Sequence, residues 1–361
     1  MKGFNKLDRY IIKQLLATFI LAIALIILIV IVFDVSEKLD DFLLKNAPMK
    51  EIIFTYYVNF LPYFVNLFGH LFFFIAVIFV TSKLASRTEI VAILSSGISF
   101  NRLLVPFLSS AILVAGINVY LSNVLIPQVN KPRLAFEKQY YRNPTKSQQY
   151  NIHIQASPTT QVYVQSFDIA NNTGYRFTKE YFDSTGIVKK ISANQISYDS
   201  ATKKWNLIDY SIRDIHGKKE TLVQGRKLLL DIGMIPYDFN INSAKVETMT
   251  FKELNTFINR EKQRGSKDVN LYLIEKYQRI FNPLAFIVLT LIGVSLSARK
   301  TRGGTGLHLA LGIALAFSFI MMMKITSVFS TKGNLPPLIS ILLPLVVYAI
   351  IGIFLIKKAP K

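Results

Sequence analysis

Residues 278–304 read QRIFNPLAFIVLTLIGVSLSARKTRGG, residues 305–329 read TGLHLALGIALAFSFIMMMKITSVF, and residues 333–358 read GNLPPLISILLPLVVYAIIGIFLIKK. Each block holds an apolar run of about the length that an α-helix needs to cross a bilayer core of ~30 Å. The gaps between the runs are short and polar. Because lipid offers no hydrogen-bond partners to the backbone, these runs predict membrane-spanning helices.

The first part of the chain holds three more apolar runs, at residues 15–33, 56–81 and 103–126. The first run follows a basic start but is too long for a signal peptide, and no small-x-small cleavage site comes after it. We therefore interpret it as a retained first span. The third run is predicted to end at Pro127. With the three C-terminal runs, these three predict six spans in total.

Composition excludes several kinds of site. The chain of 361 residues has no cysteine, so it has no disulfide, no thiolate metal site and no cysteine nucleophile. Its four histidines are scattered and do not predict a zinc site. The net charge of +20 is not accompanied by a nucleic-acid-binding motif, so no nucleic-acid partner is predicted. Binding of anionic lipid and setting of topology both stay open as explanations of the charge.

The positions of lysine and arginine predict the orientation in the membrane. Segments 1–13, 82–102, 299–302 and 357–361 hold four, three, three and three basic residues. The opposite short segments, 34–50 and 329–335, hold three and one. The positive-inside rule therefore places both termini in the cytoplasm. The region between the third and fourth spans is then extracytoplasmic.

That region alternates polar and apolar residues in short segments such as NIHIQAS (151–157), QVYVQSF (161–167) and KKISANQISY (189–198). Turn sequences separate them, so they predict an all-β sandwich or roll, with Trp205 in its core. Thr250 with Glu253 predicts a capped helix that ends near Gly265. The predicted fold class is an α-helical membrane protein with six transmembrane helices and an inserted all-β domain. The predicted divisions are 1–126, 127–270 and 271–361.

A short amphipathic helix is predicted at about residues 84–97, on the cytoplasmic side. Its apolar face consists of Ile90, Ile93 and Leu94. Arg87 and Glu89 are its charged residues, and Gly97 is the signal that ends the helix. Two interpretations stay open. The helix rests on the lipid surface, or it docks onto a cytoplasmic partner.

Four basic residues within or just outside the spans are candidates for contact with an anionic ligand: Lys38, Lys131, Arg133 and Lys324. Lys38, Lys131 and Arg133 either ring the outer mouth of a cavity or are ordinary solvated charges. Lys324 lies within the fifth span. It either extends to the outer interface or faces an anionic ligand inside the bundle.

The sequence shows no ATP-binding or catalytic motif that could supply energy for transport. It has no G-x-x-x-x-G-K-[ST] phosphate loop, and no Ser-His-Asp group or carboxylate pair stands out. We therefore expect a non-enzymatic chain that binds no cofactor. If it transports something, the energy comes from an ion gradient or a partner ATPase. Few acidic residues lie within the spans, which weakens the ion-coupled hypothesis.

Four stretches give the chain a family resemblance. They are LDRYIIKQLL (7–16), SRTEIVAILSSGISFNRLLVP (86–106), RIFNPLAFIVLTLIGVSLSARKTRGG (279–304) and GNLPPLISILLP (333–344). Together with three spans, an external β domain and three more spans, the chain resembles the LptF/LptG (YjgP/YjgQ) family of lipopolysaccharide-export permeases. The resemblance covers nearly the whole chain, and it rests on the order and spacing of the motifs.

The resemblance implies an ATP-driven exporter in the bacterial inner membrane. Two permeases of the family pair above two copies of a cytoplasmic, LptB-like ATPase, which uses the ATP. The complex extracts lipopolysaccharide, and the β-jellyroll-like periplasmic domain passes it to a bridge of similar domains. The segment around Glu89 corresponds to the coupling helix, and Lys38 and Arg133 lie where family members line the lipid cavity.

Two alternatives come from other classes. An ion-coupled secondary transporter would show internal repeats and acidic residues at the midplane, and no convincing repeat is present. A membrane-anchored scaffold would bind a partner through its β domain, but six spans exceed what anchoring needs. Only the exporter requires a co-purifying ATPase.

Overall fold

A computed structural model describes residues 5–141, 148–169, 171–184, 186–217, 219–239, 246–263, 265–266, 268–301 and 304–358. The chain divides into two compact units. The membrane unit comprises Met1–Tyr140 and Asn270–Lys361, and the β unit comprises Tyr141–Val269. Lys2, Arg302 and Lys361, which belong to the predicted cytoplasmic basic segments, lie outside the described residues.

The membrane unit consists of helices. In chain order they are α1 (Lys6–Leu44), α2 (Met49–Ser86), α3 (Glu89–Ser95), α4 (Phe100–Tyr140) and, after the β unit, α7 (Val269–Ser297), α8 (Gly304–Lys332) and α9 (Pro337–Lys357); the β unit contains α5 (Pro236–Phe239) and α6 (Phe251–Gln263). Within the described residues, all of these except the short α3 are long and apolar enough to cross a membrane, which makes six candidate spans. The prediction of six spans is confirmed.

Helix α2 lies at the centre of the membrane unit and packs against α1, α4 and α8. Phe73 and Val77 are fully buried in a cluster shared with α1, α4 and α7. On another side of α2, Phe74 and Ile78 are buried in a cluster shared with α7, α8 and α9. Helices α1 and α8 also carry many exposed apolar side chains, as expected of surfaces that face lipid or another membrane helix.

Helix α4 does not end at Pro127, as the sequence predicted, but continues to Tyr140. A π-helical turn at Leu121–Leu125 comes just before the proline. Proline disrupts an α-helix because it lacks an N–H and clashes with the carbonyl four residues earlier. A π turn just before it widens the spacing of the backbone hydrogen bonds, so the helix continues past the proline. As a result, residues 127–140, which the sequence assigned to the β domain, belong to the membrane unit.

The β unit contains one six-stranded antiparallel sheet in the simple order β1 to β6. The strands are Gln148–Ser157, Thr160–Asp168, Thr173–Asp183, Gly186–Asp199, Lys204–His216 and Lys219–Leu230. The predicted inserted β domain is confirmed. Of the two forms that the alternation allowed, the single sheet of the described residues fits a roll and not a two-sheet sandwich.

One face of this sheet is buried. Trp205 is at its centre, as predicted, and its indole Nε1 donates a hydrogen bond to the carbonyl oxygen of Met234 at 2.7 Å. Lys179 Nζ donates to the carbonyl oxygen of Ile232 at 3.0 Å. These bonds hold the segment after β6 across the apolar face, where Phe239 of α5 (Pro236–Phe239) is also buried.

Helix α6 (Phe251–Gln263) begins at the predicted capping box. The Thr250 backbone N–H donates to Glu253 Oε2 at 2.8 Å, and the Glu253 backbone N–H donates to Thr250 Oγ1 at 3.4 Å. Each side chain thus accepts a bond from the other residue's backbone, which fixes where the helix starts.

Candidate functional site

The helix predicted at about 84–97 is shorter in the structure. Leu84 and Ala85 are buried in the last turn of α2, and α3 covers only Glu89–Ser95. Thr88 separates the two helices with φ of 61°, in the left-handed region. A non-glycine residue there interrupts the right-handed helix, so the chain turns sharply before Glu89.

The apolar face of α3 lies on the protein's own helix bundle. Ile90 is only 1% exposed, and Ile93 and Leu94 pack against the same cluster of α1, α2 and α4 side chains. The opposite face is open, with Val91 57% exposed and Ala92 and Ser95 also exposed. This apolar face therefore anchors the helix and is not the face that would meet a partner.

We call the open side, made of Arg87, Glu89, Val91, Ala92 and Ser95, the docking face, after the role that is proposed for it below. Arg87 Nη1 lies 3.9 Å from Glu89 Oε1, and Tyr10 Oη of α1 donates a long hydrogen bond of 3.5 Å to Glu89 Oε2. Gly97 ends the segment with φ of 87°, a conformation that glycine adopts without strain. Val91 and Ala92 lie on this open side and were not among the predicted residues, because the sequence analysis followed only the buried stripe.

A partly buried ion pair holds the helices beside α3. Arg102 Nη1 donates to Asp8 Oδ1 at 2.8 Å, and Arg102 Nη2 donates to Asp8 Oδ2 at 2.5 Å. Asp8 is 2% exposed and also accepts from the Asn5 backbone N–H at 2.9 Å. This bidentate pair joins the first turns of α1 and α4. The sequence analysis missed it, although Asp8 is the sole acidic residue among residues 1–33.

At the other end of α1, Lys38 is 9% exposed and is held by neighbouring side chains. Its Nζ lies 2.6 Å from Asp34 Oδ1 and also donates to the Tyr56 hydroxyl. Tyr57 Oη donates to Asp34 Oδ2 at 3.1 Å. The ammonium group is therefore neutralised within its own chain.

Arg133 of α4 is in a similar setting. It is 7% exposed, its Nε lies 3.6 Å from Glu137 Oε1, and its guanidinium carbon lies 5.3 Å from the Tyr63 ring centroid. The Phe136 ring stacks on Tyr56 with centroids 5.5 Å apart. The structure thus brings Lys38 and Arg133 to one aromatic cation cluster, made of Asp34, Lys38, Tyr56, Arg133, Phe136 and Glu137.

The other two candidate cations are exposed. Lys131 lies on α4 just before the aromatic cation cluster. Lys324 lies on the outward side of α8, beside the exposed side chains of Met321, Ile325 and Val328. Lys324 therefore faces away from the bundle formed by its own chain, and an anionic ligand would reach it from outside that bundle.

In the part of the chain that the structure describes, no group of three or more His, Cys, Asp or Glu side chains is placed to hold a metal ion. The polar chemistry of the membrane unit instead lies in ion pairs and in amide contacts such as Asn118 Nδ2 to Asn66 Oδ1 at 2.7 Å.

Comparison with known proteins gives a consistent result. A family profile described as the lipopolysaccharide export system permease LptF/LptG matches residues 9–358. The lipopolysaccharide export system permease protein LptG of Escherichia coli strain K12 is 19% identical over 366 residues, covering 99% of both chains. The LptG protein of E. coli O6:H1, strain CFT073, matches to the same extent. The chain belongs to the LptF/LptG family of lipopolysaccharide export permeases.

Proposed function

We propose that this chain is the permease subunit of an ATP-driven exporter that extracts lipopolysaccharide from the inner membrane and passes it to a periplasmic bridge toward the outer membrane. The chain itself binds no cofactor in this proposal. ATP is used by a cytoplasmic ATPase subunit, and a second permease of the same family completes the membrane part.

The observation that carries the proposal is the seating of α3. One face of this helix is fixed to the bundle by Ile90, Ile93 and Leu94, and the docking face is open. A push on the docking face would be transmitted to α1, α2 and α4, because close-packed side chains transmit displacement. The Asp8–Arg102 pair would keep α1 and α4 together during that movement.

The lipid would be bound through its phosphates and its acyl chains. Lys38, Lys131, Arg133 and Lys324 supply positive charge that forms charge-assisted hydrogen bonds with phosphate. Lys131 and Lys324 are exposed, whereas Lys38 and Arg133 would exchange an acidic partner for the phosphate. The acyl chains would lie between the exposed apolar faces of the two paired permeases.

The β unit would hand the lipid to a neighbouring β domain. Strands β1 and β6 are the two edges of the sheet, and each pairs with a strand on one side. An edge strand can accept a strand from another protein through backbone hydrogen bonds. This proposal places the β unit in the periplasm and both termini in the cytoplasm. A reporter fused after Asn171 tests that orientation, and a cytoplasmic signal would contradict it.

The decisive experiment is a mild-detergent pull-down of this chain from its native membrane, followed by identification of retained proteins and lipids. We expect an ATPase subunit, a second permease and lipopolysaccharide. Recovery of the chain without ATPase and without glycolipid would refute the exporter proposal.

A further inference from the structure

A groove on the β unit has no role in the function proposed above. It has a volume of about 460 Å³ and is lined by residues of β1 to β4 together with Gly265. Its main polar side chains are Gln155, Gln161, Tyr163, Thr178, Glu180 and Lys190. The volume is within the range of ordinary small-molecule sites.

Strand register explains why these side chains meet. Gln155 lies opposite Gln161, Gln161 opposite Glu180, and Glu180 opposite Lys190, which makes a polar row across four strands. A second row beside it pairs Tyr163 with Thr178. Because strand side chains alternate, both rows lie on the face opposite the buried apolar core.

The end of α6 turns this face into a groove. The chain leaves the helix through Gly265, whose φ is 63°. A Cβ at this glycine would lie 2.8 Å from Gln155 Oε1, so the backbone passes directly over the edge of the polar row. Consistent with this cover, Tyr163, Glu180 and Lys190 are half-buried although they lie on the outward face.

The polar side chains of the groove match the hydroxyl groups of a sugar. Lys190 Nζ lies 2.7 Å from Glu180 Oε1, so the two charges offset each other within a chain whose net charge is +20. Sugar hydroxyls both donate and accept hydrogen bonds, as the amides of Gln155 and Gln161 do. The His153 and Tyr163 rings pack against each other at a tilt of 41° with centroids 4.6 Å apart, and their outer sides supply an aromatic surface for the apolar side of a sugar.

We propose that this groove binds sugar residues, and specifically the glycan part of lipopolysaccharide. The inference rests on the proposed function for the identity of the glycan. It assigns the β unit a role in recognising the sugar, separate from handling of the acyl chains.

The test uses the full-length chain in phosphatidylcholine nanodiscs and, as probe, the oligosaccharide that remains after complete deacylation of lipopolysaccharide. Isothermal titration should show saturable binding. Tyr163→Ala and Gln161→Ala should each weaken the binding about tenfold or more. Tyr175→Ala is the matched control, because Tyr175 is an exposed tyrosine on β3 that does not line the groove.

Three outcomes would overturn the proposal: no binding of the oligosaccharide, unchanged binding by both groove variants, or an equal loss in Tyr175→Ala. Enzymatic dephosphorylation of the probe should change the affinity by less than about threefold. A complete loss would show that phosphate is the ligand and refute a sugar site.

Titration with intact lipopolysaccharide separates failure of the groove proposal from failure of the proposed function. If it binds and the oligosaccharide does not, only the groove proposal fails, and if neither binds, the proposed function fails as well.

Discussion

The two ends of α1 use charged pairs in different ways. Near its start, Asp8 is buried against Arg102, and beside this pair α3 leaves one face open. Near its end, Lys38 and Arg133 are themselves buried against Asp34 and Glu137. The first pair supports a surface on which a partner could act, whereas the second arrangement neutralises the cations that the sequence marked as lipid ligands. Lys38 and Arg133 would therefore have to give up an acidic partner before either of them contacts a ligand.

The largest expected effect concerns the docking face. Glu89→Arg should reduce lipopolysaccharide export about tenfold or more, because it reverses the charge offered to the proposed ATPase partner. Folding should be intact, since Glu89 is at the edge of the face and its ion pair with Arg87 is long. Export in cells and co-purification of the ATPase are the measurements.

Glu37→Arg is the control for this charge reversal, because Glu37 is exposed near the end of α1, far along that helix from α3. It should leave ATPase association unchanged. Normal association and export in Glu89→Arg would remove the basis for a coupling role.

The next effect tests the opposite end. Lys38→Met should lower the free energy of unfolding by about 3 kcal/mol, because it leaves the Asp34 carboxylate buried without its cation. Thermal unfolding in detergent would measure this loss. The double variant Asp34→Asn/Lys38→Met should regain most of the stability but not the crosslinking to lipid. If the double variant crosslinks to lipid normally, Lys38 is a structural residue only.

A third comparison separates the two faces of α3. Ile90→Ala should cost about 2–4 kcal/mol of stability, because it creates a cavity in a packed cluster. Val91→Ala should change stability by less than about 0.5 kcal/mol, since Val91 is exposed, and should instead weaken binding of the ATPase. Equal losses of stability in both variants would show that Ile90 is not the buried side and Val91 not the open side of α3.

The smallest expected effect is at Lys324. Lys324→Ala should reduce photo-crosslinking between α8 and lipopolysaccharide a few-fold, with no change in unfolding temperature, because the side chain is exposed. Lys332→Ala, on the last turn of the same helix, is the matched control. Unchanged crosslinking in Lys324→Ala would favour extension of this lysine to the membrane interface.

Much of the architecture could be predicted because it depends on local patterns. The six apolar runs predict helices by length alone, and the alternation from residue 151 onward predicts strands. The capping box at Thr250 was also predicted, because both of its residues lie within one turn. The continuation of α4 past Pro127 was not predicted, since it depends on the π turn that precedes the proline.

The candidate site was predicted less completely. Glu89 and the apolar stripe at Ile90, Ile93 and Leu94 were found, but not which face of α3 would be covered. The short helix is half as long as predicted because Thr88 breaks it, and threonine is not a residue that marks a left-handed turn. The Asp8–Arg102 pair joins residues 94 positions apart, which no local pattern shows.

The sequence by itself determined the number of spans, the inserted β unit and the family, because hydrophobic length, strand alternation and motif order are all written along the chain. Only the tertiary structure decided that Ile90 is an anchor and Val91 is open, that Lys38 and Arg133 are paired within the chain, and that a polar groove forms across β1 to β4 beside Gly265. The physical reason is that burial and ion pairing depend on which helices and strands become neighbours. Those neighbours are set by packing between segments far apart in sequence.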